Sequence, residues 1–123
     1  MLQLSLKNNL DISHHLRLGE ALQPLRGDEV LIIGSGSSTH SPGLSADDRR
    51  HFMSWFHDVL TNKMYSPDKR KQLLLNSRSE PTFSSAHERI EHFLPSLVAA
   101  AAAGYQPGTV LLEESWMSHV KFD

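Results

Sequence analysis

The chain has no cysteine. That excludes disulfides, thiolate metal centres and cysteine nucleophiles, and it fits a reducing compartment, so a cytoplasmic location is the expectation. Long hydrophobic runs are missing too. The longest unbroken apolar stretch is Leu97–Ala103, far short of the roughly 20 residues that span a bilayer, and no apolar segment of the secretory type opens the chain. No membrane partner is expected. Neither charge sign dominates: 12 Lys and Arg stand against 14 Asp and Glu, for a net charge of −2, without long runs. A dedicated nucleic-acid or anionic-lipid surface is therefore not expected. Aromatics are few, with 5 Phe, 2 Trp and 2 Tyr in 123 residues, a length that suits one domain or part of one.

Histidine is what the chain has in excess. It has 8 His and only 7 Gly, although glycine is among the commonest residues of an average protein and histidine is not. Full protonation would move the formal charge from −2 to +6. Metal binding, acid–base work and pH sensing are the chemistries this favours.

Hydropathy patterning predicts alternating strands and helices. Leu2, Leu4 and Leu6 alternate with polar residues, the period of a half-buried strand. Asp11 to Arg26 has helical spacing, with Asp11 or Ser13 as N-cap and Gly27 beyond its end. Val30-Leu31-Ile32-Ile33 is a continuous apolar run of the kind found in central strands. From Asp47 an amphipathic helix carries Phe52, Trp55, Phe56, Val59 and Leu60 on the stripe expected to pack on a sheet. Pro67–Leu75 reads as a short helix capped by Ser66, with Pro67 at its first position. Asn76 to Ser85 reads as a loop. Glu88 to Ala103 reads as a helix stopped by Gly104, in which Pro95 either bends the helix or moves its start towards residues 91–94. Thr109–Leu112 is a last strand, and Ser115 to Phe122 an extended or irregular end. Residues 1–123 thus read as a single α/β domain built on a mainly parallel sheet with helices on its faces.

Two places can carry chemistry. The loop from Gly34 to His40 follows a strand, and ligands of open α/β sheets bind beyond strand C-terminal ends. The alternative is an ordinary surface turn with an exposed His40. A dinucleotide fingerprint would need a third Gly where Thr39 stands, and no Gly-x-Ser-x-Gly elbow occurs. The second place is His87-Glu88-Arg89-Ile90-Glu91-His92. Its histidines are five apart, not the four of the zinc-protease motif, so a regular helix would point them about 140° apart. His92 adjoins the apolar stripe starting at Phe93, where an unpartnered imidazole is costly, so a ligand role is better motivated for His92 than for His87. Most of His14, His15, His51, His57 and His119 are expected to be solvated or capping groups, and Trp55 and Phe56 to be core.

Four segments occurring in order carry a resemblance: Leu2-Gln3-Leu4-Ser5-Leu6; His15-Leu16-Arg17-Leu18-Gly19 with Ala21-Leu22 and Pro24-Leu25-Arg26; Val30 to Gly36 with His40; and Ala86-His87 with Glu91-His92-Phe93-Leu94-Pro95. Together they resemble the class III (LigB-type) extradiol ring-cleaving dioxygenases, in the branch similar to 4,5-DOPA dioxygenase, and they correspond to the C-terminal portion of that family's domain. The resemblance implies a non-haem Fe(II) site, with zinc able to occupy it, and a catechol-type aromatic substrate opened with dioxygen. It assigns His92 as a metal ligand, His40 as the acid–base histidine and His87 as a substrate contact. Ser41 stands where the family usually has Asn. The family's other two metal histidines belong to its N-terminal region, which implies either a complementing N-terminal half or a homodimer that pools histidines. The competing readings are a non-catalytic α/β remnant that binds a metal or a partner and dimerises, and a histidine-rich module responsive to pH or metal.

Overall fold

In the computed structural model, residues 1–114 and 118–123 are described. The elements in order are helix α1 (Ile12–Leu22) running into a 3-10 turn (Gln23–Asp28), α2 (Ala46–Thr61), α3 (Pro67–Leu75), a 3-10 turn (Ser77–Ser79), α4 (Phe83–Ala86), a 3-10 turn (Ile90–His92), α5 (Leu94–Ala102), and strands β1 (Thr109–Glu113) and β2 (Ser118–Lys121).

Local chemistry sets the helix starts. Asp11 accepts a hydrogen bond from the His14 amide at 2.6 Å, Ser45 caps α2 through Asp48 N–H, and Ser66 caps α3 through Lys69 N–H. Each satisfies an amide that would otherwise lack a partner in the first turn. Pro95 lies in the first turn of α5, so the helix starts at Leu94 and the preceding residues form a tighter turn. Moving the helix start puts the missing N–H where no intrahelical bond is needed. At the other end Gly104 turns left-handed (φ 65°) and ends the helix.

The core is a phenylalanine cluster wrapped by helices. Phe52 and Phe56 of α2, Phe83 of α4 and Phe93 before α5 are all nearly or fully buried, with ring centroids 5.1–6.1 Å apart in mostly tilted or edge-on pairs. Their stripe on α2 faces mainly this cluster and its helices, and the described sheet that touches it is only the two-stranded pair, not a broad parallel one. Trp55 is half-buried against the same cluster.

α1 and α5 pack closely along their lengths. A methyl group at Gly19 would overlap the Val98 carbonyl and the Ala101 side chain, so only glycine permits this backbone approach. Arg70 ties α2 to α3. Fully buried, it donates from Nε to the Val59 carbonyl (2.8 Å), from Nη1 to Tyr105 O (2.6 Å) and from Nη2 to Asn62 O. It therefore satisfies carbonyls at the C-terminal end of α2, where a cation is also favoured by the helix dipole. Tyr105, itself left-handed (φ 57°), is held at its other end by its hydroxyl on Glu20 (2.6 Å).

The sheet differs from expectation. β1 and β2 pair antiparallel, Thr109 opposite Lys121 and Glu113 opposite Ser118, with an irregularity between Val110 and Leu112. Among the described residues no larger parallel sheet forms. The strands expected at Leu2–Leu6 and Val30–Ile33 are absent as paired elements, because no neighbouring described edge accepts their backbone groups. Helix 11–26 closes earlier, at Leu22, since Pro24 cannot continue it. The loop expected at 76–85 carries α4, and Ser115 lies outside the described residues while β2 begins at Ser118.

Gly19→Val should cost about 1–3 kcal/mol by overpacking α1 against α5. Arg70→Met should cost about 3 kcal/mol, since it strands several buried carbonyls. Urea denaturation checks both, and wild-type midpoints in either variant would contradict these roles.

Candidate functional site

His40 meets His87 and His92, far from it in sequence, where the Gly34–His40 loop crosses the two segments before α5. The loop is pinned twice: Ser37 N–H donates to the His92 carbonyl (3.1 Å), and His40 N–H donates to the Ala86 carbonyl (2.8 Å), giving an isolated parallel bridge between His40 and His87. A side chain at Gly36 would overlap the His92 carbonyl, and one at Gly34 would overlap that of Pro95. These glycines let the loop lie directly on the backbone that carries His92. A third tie runs from Ser41 Oγ, which donates to Glu88 Oε1 at 2.7 Å.

The result is a stacked imidazole pair. The rings of His40 and His92 lie 3.9 Å apart between centroids and 14° from parallel, each half-buried. His87 sits at the end of α4, only 5% exposed, in a box of Phe52, Phe83 and Phe93 with ring centroids 5.0–5.6 Å away. Neither ring nitrogen has a partner in good hydrogen-bonding geometry, although the Ser38 backbone lies beside the ring. Burial lowers its pKa from 6.5 to about 4; the nearby Ser38 backbone opposes the shift, while the electrostatic influence of His40 and His92 adds to it. The imidazole is therefore neutral at pH 7, and its two unpaired polar atoms carry a desolvation cost of about 1–3 kcal/mol each. A buried polar group left in this way calls for an explanation, and a ligand is one.

This corrects two readings of the sequence. The His87–His92 segment is not one regular helix, so the 140° separation does not apply: a turn and an extended stretch intervene. The buried unpartnered ring is that of His87, and His92 is the more exposed of the two. The phenylalanine box was not foreseen, because Phe52 and Phe83 come from segments whose approach to residue 87 has no local signature. His15 was also underrated. It is fully buried, accepts at Nε2 from Lys7 N–H (3.1 Å) and faces the Asp11 carbonyl through Nδ1 (2.6 Å), so it is a satisfied structural group with the proton on Nδ1. His119 is exposed, and His51 and His57 approach Glu80 and Glu113 at 3.0 and 3.6 Å.

The sign of the pH effect follows from His87. The folded chain leaves it unprotonated down to about pH 4, whereas the unfolded chain protonates it near 6.5. Its contribution is fully present above about pH 6.5 and is lost as pH falls towards 4, because the unfolded state binds the extra proton there. The loss amounts to about 3 kcal/mol. His87→Leu should therefore gain about that much on wild type between pH 7 and pH 4 in urea denaturation. Parallel stability curves would contradict the buried, neutral imidazole.

Comparison with known proteins gives this geometry a family. Residues 3–122 match the family described as the catalytic LigB subunit of aromatic ring-opening dioxygenase. The chain is 40% identical over 121 residues to 4,5-DOPA dioxygenase extradiol of Beta vulgaris, covering 93% of this chain and 43% of that protein. It is 33% identical over 131 residues to the protein of the same name from Mirabilis jalapa, covering 98% of this chain and 46% of that one. The chain thus spans less than half the length of these curated relatives. No solved structure matches it significantly. Spanning nearly all of its residues, the match means that this chain belongs to the LigB family of extradiol aromatic ring-opening dioxygenases.

Proposed function

We propose that this chain contributes part of the active site of a non-haem Fe(II) extradiol dioxygenase that opens a catechol-type aromatic ring with dioxygen, within an α/β domain whose completed sheet is mainly parallel. The observation that carries the reading is the stacked His40–His92 pair beside a buried His87 with two free ring nitrogens. The donor chemistry suits a divalent metal, since imidazole nitrogens are ligands for iron and zinc alike. The set is short: among the described residues no three His, Cys, Asp or Glu side chains converge to hold an ion. His92 is assigned as this chain's ligand, with the others coming from the rest of the family's domain. A bound ferrous ion would supply the redox chemistry that couples a diol to dioxygen, which zinc does not.

The protein's own groups do the rest. His40, stacked on His92, is assigned to take a proton from a diol hydroxyl and return it later in the reaction, work typically worth about 10²–10⁴-fold in rate. His87 is assigned to hydrogen-bond an aromatic oxygen. Its neutral ring can donate from one nitrogen and accept at the other, and the Phe52, Phe83 and Phe93 box keeps water from competing. A 4,5-DOPA-like diol is the first substrate to try, from the names of the relatives.

The short donor set also favours a second reading, a non-catalytic remnant that binds a metal or a partner and dimerises. Anaerobic loading with ferrous iron, followed by DOPA-dependent oxygen uptake in the assembled protein, separates the two. The dioxygenase reading expects stoichiometric iron and uptake. It expects His92→Ala to lose iron, and His40→Ala to keep iron while kcat falls at least about a hundredfold. A folded protein with neither iron nor uptake would favour the remnant, and variants matching wild type would overturn the residue assignments.

A further inference from the structure

Away from the histidine site, two further side chains bury a polar atom that has no hydrogen-bond partner among the described residues: Arg49 at Nε and His57 at Nε2. Glu80 Oε1 is less isolated, because His51 Nε2 lies 3.0 Å from it. Arg49 and His57 share one cleft of about 770 Å³, which Arg50, Met53, Glu113 and Glu114 help to line. That is the size of a small-molecule site, and none of these residues belongs to the group of His40, His87 and His92. Arg50 is already engaged by Asp47, so the guanidinium left to meet an anion is that of Arg49. At the other end of the cleft Glu113 Oε1 stands 3.6 Å from His57 Nδ1, beyond hydrogen-bonding reach. A carboxylate on that side favours the ring proton on Nδ1 and leaves the buried Nε2 as an acceptor. The two orphaned atoms thus call for opposite partners, an acceptor at Arg49 and a donor at His57.

Helix geometry sets the distance between them. Arg49, Met53 and His57 recur every fourth residue along α2, a single ridge about 12 Å long with the buried, apolar Met53 at its middle. We propose that this cleft binds an elongated amino carboxylate, with its carboxylate on Arg49, its aliphatic middle along Met53 and its ammonium at His57, Glu113 and Glu114. An α-amino acid, whose two charges sit on neighbouring carbons, is too short to serve both ends of the ridge. A carboxylate and a guanidinium form a charge-assisted pair, and the two glutamates attract an ammonium where they would repel a second anion. A simple anion would satisfy Arg49 and place no donor on His57 Nε2. A simple amine would leave Arg49 Nε without an acceptor. Both orphaned atoms are met only by a ligand that carries both groups. Binding here uses none of the groups of the dioxygenase reading.

The test titrates the full chain with ε-aminocaproate, caproate and hexylamine, reading affinity by calorimetry and the His57 ring protons by NMR. ε-Aminocaproate should bind saturably at one site and shift the His57 signals. Caproate and hexylamine should each bind at least about tenfold more weakly, since each lacks one charged hydrogen bond. Arg49→Gln, His57→Phe, and Glu113→Gln with Glu114→Gln should each weaken ε-aminocaproate at least about tenfold and keep the melting temperature of wild type. The comparison of the three probes is made on the wild-type chain, so it decides the matter even where a variant fails to fold. Caproate binding as tightly as ε-aminocaproate would reduce the cleft to an adventitious anion site and overturn the proposal. So would the absence of saturable binding, or binding that leaves the His57 signals in place and survives Arg49→Gln.

Discussion

Close backbone approach to α5 is the constraint on which the rest of this chain depends. The helix is built from Leu, Val and a run of Ala, small enough for Gly19 of α1 to touch its backbone on one side. On its N-terminal side, Gly34 and Gly36 bring the loop onto the carbonyls of Pro95 and His92. A Cβ at any of the three positions would overlap backbone or a packed methyl, so the spacing is set by covalent dimensions and cannot be relieved by a rotamer change. Loop and helix start are therefore held in one register, and the histidines they carry share that register.

The chemistry is a consequence of this frame. Because the loop is pinned at Ser37 and again at His40, the imidazole of His40 comes to rest flat against that of His92. The same crossing brings residue 87 into the phenylalanine core, where its ring is kept neutral with both nitrogens free. A fold selected for stability alone has little reason to keep an unsatisfied imidazole among three phenylalanines. The cost makes sense where a ligand is to be met.

What could be read from the sequence follows the range of the interaction involved. Ser66 with Pro67 marked α3 to the residue, and Pro95 marked a displaced start for α5, because caps and prolines act within one turn. Pairing between strands is not local. Val30-Leu31-Ile32-Ile33 has the composition of a central strand, yet composition supplies no neighbouring edge, and the segment stays exposed and unpaired. The same limit governs the site. His40 and His92 stand out in the sequence by their motifs, and the structure brings their rings together, but the inversion of burial between His87 and His92 depends on Phe52 and Phe83 arriving from elsewhere in the chain. His15 was underrated for a similar reason: its partner at Nε2 is the backbone of Lys7, in a segment expected to be a strand.

The central claim is that glycine-permitted backbone contact brings His40, His87 and His92 together within this chain. Nuclear Overhauser contacts between histidine and phenylalanine ring protons test it most directly. The account predicts strong contacts between the rings of His40 and His92, and contacts from His87 to Phe52, Phe83 and Phe93, all in the monomeric chain. A folded chain in which His40 and His92 show no mutual contact, with the His87 ring free in solvent, would contradict it.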